Sequence, residues 1–131
     1  MNKTENLFYD AMEISKRDDW EKFVVGCYDF SYGVKTFTSA IEKAKDRISL
    51  AKTLEKYTGK SKAEEIENLE KIISILEKSK KCMAKKRAVE KEISKRLNAY
   101  AEETASQPFN YVELCRNTDR IRKEVESEFY A

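Results

Sequence analysis

Apolar residues recur along this chain at alternating intervals of three and four. The clearest run is Trp20, Phe23, Cys27, Phe30, Val34, Phe37, Ile41, Ala44, Ile48 and Ala51. Spacing of this kind, sustained over so many turns, predicts one long helix packed lengthwise on another. Asp18 is placed to cap its start, and Glu21 three residues later completes an acidic capping box. Gly59 suits the left-handed position after its last turn. The predicted helix covers about 19–57, and at 1.5 Å per residue it would be roughly 60 Å long. Gly26, Gly33 and Ala40 fall inside it, seven residues apart. A glycine within a helix costs about 1 kcal/mol relative to alanine. A stripe of small residues there predicts close approach of another backbone, from this chain or from a second copy.

Beyond the glycine, Ser61-Lys62-Ala63-Glu64 has the form of a capping box and opens a second long helix, predicted over about 62–105. Ile66, Leu69, Ile73 and Leu76 mark its seam, widened by Ile72 and Ile75. The pattern resumes as Val89, Ile93, Leu97, Tyr100 and Thr104. The two stripes are out of phase, so the seam is expected to fail across 77–88. Ser106-Gln107-Pro108 ends this helix and begins a closing one over about 108–129, with Pro108 in its first turn. Tyr111, Leu114, Thr118, Ile121, Val125 and Phe129 form the closing seam. At the other end, Leu7, Ala11 and Ile14 predict a short helix over about 5–16, following Thr4. Short connections make successive helices antiparallel neighbours. The expected fold is therefore a single all-α domain over 1–131, an elongated antiparallel hairpin or bundle with coiled-coil-like packing.

Composition agrees with this picture and narrows the chemistry. Charged residues make up 38% and hydrophobic ones 40%, with three Gly and one Pro, a mixture suited to helix rather than sheet. There is no histidine, which removes Ser-His-Asp and Cys-His nucleophiles and His-ligated metals. Cys27, Cys82 and Cys115 lack the paired spacing of disulfide scaffolds or zinc sites and read as reduced thiols, as in a cytoplasmic protein. No apolar run approaches the length of a membrane span. Thr58-Gly59-Lys60-Ser61 resembles the end of a phosphate-binding loop, but Leu54 stands where that loop needs its first glycine. Carboxylates lie three or four residues from lysines, as in Glu67 and Lys71, and such pairs support exposed helices without any catalytic role. The chain is expected to be non-enzymatic, with no cofactor, metal or small-molecule substrate.

One segment asks for more than a structural reading. In KSKKCMAKKR, residues 78–87, Lys78, Lys80, Lys81, Lys85, Lys86 and Arg87 are cationic and no side chain is acidic. The net charge of the whole chain is only +2, so attraction to an anionic partner has to be local. The cations spread around the helix, and burying them against a neighbouring helix would cost several kcal/mol each. They therefore either face water or meet something negative. The expectation is a self-associating interaction module, a homodimer, whose basic segment contacts an acidic protein surface. The alternative is a peripheral binder of anionic membrane, with a layout like that of BAR-type helical dimers, or of nucleic-acid phosphate. The aromatic residues fall on seam positions rather than where bases could stack on them, which argues against sequence-specific nucleic-acid recognition.

Overall fold

The computed structural model describes residues 2–27 and 31–130, and every regular element among them is helical. The elements are α1 (Lys3–Ser15), a single 3₁₀ turn (Trp20–Lys22), α2 (Val34–Thr58), α3 (Ala63–Glu103) and α4 (Tyr111–Tyr130). The chain divides into two compact units, Met1–Ala84 and Lys85–Ala131.

In the first unit, α1 contributes Leu7, Phe8 and Ala11 to the core, and α2 contributes Phe37, Ala40, Ile41 and Ala44. From α3 come Leu69, Ile72, Ile75, Leu76 and Met83. Full burial of each large side chain here contributes about 1.5–3 kcal/mol. The cap of α1 is Asn2, whose side-chain oxygen accepts the Glu5 N–H at 2.8 Å, so the helix starts before Thr4 rather than after it. Gly59 ends α2 at φ 69°, with its N–H donating to the Glu55 carbonyl at 2.9 Å, as its position in the sequence implies. The start of α3 departs from a simple capping box. Ser61 Oγ accepts the Ala63 N–H at 3.3 Å, and the Glu55 carboxylate of α2 accepts the Lys62 N–H at 3.0 Å.

The helix expected over 19–57 does not form in its N-terminal part. After the 3₁₀ turn the chain is irregular through Cys27, and α2 begins only at Val34. The reason lies in α3. Val25 donates its N–H to Ser79 Oγ at 2.9 Å, and the Cys27 thiol donates to the Ser79 carbonyl at 3.1 Å. Val25 and Cys27 are both buried at a spacing of two, the period of an extended strand rather than of a helix. A helix through these residues would bury Cys27 but turn Val25 away. Asp18 accordingly caps nothing, and the 3₁₀ turn has no side-chain cap. Tyr28 and Phe30, the latter a member of the predicted seam, lie outside the described residues.

The small-residue stripe dissolves with that helix. Gly26 lies in the irregular segment at φ 69°, and Gly33 is the N-cap of α2 in extended conformation. Of the three predicted positions, only Ala40 is buried within a helix.

The seam of α3 fails later than expected, within the second half of the basic run. Leu69, Ile72, Leu76, Ser79 and Met83 are all buried at intervals of three and four, so the seam holds through the first half of the run; it breaks only between Met83 and Val89, six residues apart and out of phase. The buried face shifts to Ile72 and Ile75, leaving Ile66 half-exposed.

In the second unit, Val89 and Ile93 of α3 pack on Ile121 and Val125 of α4, with Leu97, Tyr100 and Phe129 around them. Tyr100 bonds Asn117 and Lys85 approaches Tyr130, so the two segments run in opposite directions. Residue α4 starts from is Asn110, not Pro108. Its side chain accepts the Glu113 N–H at 3.2 Å, and the predicted start falls three residues too early. Among the described residues no helix is long and apolar enough to cross a membrane.

Candidate functional site

Residues 78–87 all belong to α3, and the helix sorts them by turn. Ser79 and Met83 point into the core of the first unit. A buried hydroxyl needs partners, and Ser79 has them: it donates to the Ile75 carbonyl at 2.7 Å and accepts from Val25. The neighbouring Lys78 is exposed, and its ammonium donates to the Glu21 carbonyl in the 3₁₀ turn. Lys78 thus holds the irregular segment from outside while Ser79 holds it from within.

Lys80 and Lys81 face a groove of about 570 Å³ between α2 and α3, which Thr38, Ile41, Glu42, Lys45, Glu77 and Ala84 complete. Ile41 and Ala84 give it an apolar part, with Thr38 beside them. Its rim carries three lysines and two glutamates, so it leans cationic. Neither Lys80 nor Lys81 forms a hydrogen bond or ion pair with a described residue.

In the second unit, the Lys85 ammonium lies 4.8 Å from the centre of the Tyr130 ring, a cation–π distance. Lys86 is half-buried and Arg87 exposed. Arg87, like Lys80 and Lys81, contacts no described carboxylate. Other arginines are engaged. Arg47 lies 4.5 Å from the Phe8 ring centre and Arg17 4.3 Å from that of Phe23. Arg122 bonds Glu90 at 2.8 Å.

Arg96 is the most heavily paired cation. It donates to both oxygens of Glu128, at 3.2 and 2.6 Å, and to Glu92 at 3.0 Å. The Glu128 hydrogen bonds, then those of Glu92, raise the guanidinium pKa well above its ordinary value. In return the Arg96 hydrogen bond holds the Glu128 carboxyl below the usual carboxylate range. This ties α4 to α3 within the second unit.

All six predicted cations therefore lie on α3, but they do different things: Lys78 and Lys85 make intramolecular contacts, while Lys80, Lys81 and Arg87 are open. Sequence reasoning missed Ser79, and it missed Lys45, Glu42 and Glu77 as rim residues. A signal for Ser79 exists in the chain, since it stands three residues after Leu76 and four before Met83. A polar residue admitted to the seam would have kept the phase. Comparison with protein-family models, curated proteins and solved structures found no match for this chain.

Proposed function

We propose that this protein is a non-enzymatic helical interaction module of the cytoplasm that associates with itself and docks an acidic protein surface through the basic segment of α3. In this reading α2 and α3 form an elongated antiparallel hairpin with coiled-coil-like packing, and the hairpin presents the cations. The observation that carries it is the open state of Lys80 and Lys81 at a lysine-rimmed groove of the first unit, with Arg87 of the second unit likewise open. Desolvated charge pairs gain most where both partners lack competing bonds, and these three have none among the described residues. The three cysteines form no disulfide among the described residues, which fits a reducing compartment.

The same cations would serve phosphate groups of a membrane or nucleic acid, and salt separates the two cases. Phosphate binding through several lysines falls steeply and linearly on a logarithmic salt scale. Docking on a protein surface with apolar contact in the groove falls less. The decisive variant carries Lys80→Glu, Lys81→Glu and Arg87→Glu together. Because none of the three supports the core, its helicity and melting temperature should match the parent chain. Its capture of acidic partners from the native host, measured side by side with the parent, should be lost. Equal capture by both chains would reduce the segment to a solvated face.

A further inference from the structure

Four of the nine large apolar side chains exposed among the described residues lie within 109–114, which makes this stretch a patch rather than a scatter. Phe109 is 80% exposed, Tyr111 67%, Val112 63% and Leu114 37%. Together they present on the order of 400 Å² of apolar surface. The cause is local. Pro108 has no N–H to give, Asn110 starts α4, and the seam that packs on α3 begins only with Asn117 and Ile121. The first turn of α4 and the residues before it stand clear of the second unit's core. Beside them Tyr100, Thr104, Pro108, Phe109 and Leu114 line a depression of about 390 Å³.

We propose that this tip is the surface through which two copies of the chain associate. The inference rests on the self-association read above and assigns it a place. Charge selects the occupant. Glu113 and Arg116 border the patch, both are exposed, and neither forms an ion pair with a described residue. A strongly basic partner would meet Arg116, and a strongly acidic one, or an anionic membrane, would meet Glu113, Glu102 and Glu103. A second copy related by a two-fold axis brings Glu113 of each chain to Arg116 of the other, and this satisfies both. Area sets the strength. A standard interface takes about 800 Å² from each partner, so a patch of roughly half that size gives a weak dimer, formed at micromolar or higher concentration.

Sedimentation of the full chain over a hundredfold concentration range tests this, with a Phe109→Ser, Val112→Asp variant alongside. Both positions are exposed, so circular dichroism and melting temperature should be unchanged, whereas dimerisation should weaken at least tenfold. Cys115 is exposed in the same turn as Val112, so mild oxidation should cross-link the parent chain faster than this variant, and Cys115→Ser should abolish the product. If the parent dimerises and the variant does so equally, this surface is wrong while self-association stands. A parent chain monomeric throughout would overturn both. Tip-dependent binding to vesicles by a monomeric parent would assign the patch to a lipid interface instead.

Discussion

Ser79 is the residue on which the first unit turns. It is fully buried, and among the described residues its hydroxyl is what accepts the buried Val25 N–H. Ser79→Ala leaves that buried donor unsatisfied and should cost about 1–3 kcal/mol, read as a lower denaturant midpoint at unchanged slope. Gly26 is the second such residue. Its φ of 69° is unfavourable for any side chain, and an added Cβ would come to 2.3 Å from the Tyr32 ring. That ring cannot yield cheaply, because its hydroxyl bonds Asp10 at 3.1 Å and its face meets Phe37 edge-on. Gly26→Ala should therefore destabilise the fold by about 1–3 kcal/mol, although in a continuous helix the same change would stabilise it. A gain in stability would show that the irregular segment is not the native conformation.

At the scale of elements, α4 depends on Ile121 and Val125 in its seam and on Arg96 holding Glu128 across to α3. The folded pKa of Glu128 lies below its unfolded value. Its contribution is thus complete above the ordinary carboxylate pKa near 4.3, and is lost as pH falls through the lower, folded value. Chemical shifts of α4 amides followed from neutral pH to strong acid should move in that window, and Glu128→Gln should remove the movement. The pair is exposed, so salt should weaken the effect. The helical class, the turn at Gly59 and the presence of four helices follow from spacing and breakers alone. The start of α4 does not, because Pro108 and Asn110 are both plausible openings and only hydrogen bonding to Glu113 chooses between them.

For the whole molecule, the two proposed surfaces make separable claims. In the first proposal Lys80, Lys81 and Arg87 would be engaged by an acidic partner, and in the second Phe109 and Val112 would be engaged by a second copy. The charge-reversed variant should keep concentration-dependent sedimentation, and the tip variant should keep partner capture, weakened only by lost avidity. Joint loss of both activities in either variant would mean that one surface serves both ends. The basic run was legible as a cluster, yet its division into working and open cations was not. Lys78 differs from Lys81 only in having the Glu21 carbonyl within reach, a neighbour 57 positions away in the chain.

Helix content, the reversal at Gly59 and the length of α3 were all settled by residues close together in the chain, since propensity, capping and periodicity act over a turn or two. The conformation of 20–27, the true phase of α3 and the open state of three cations were decided only on folding. Each depends on Ser79, Lys78 or the groove wall meeting residues tens of positions away. A periodic pattern records which side chains prefer to leave water, and long-range hydrogen bonds determine which backbone carries them there.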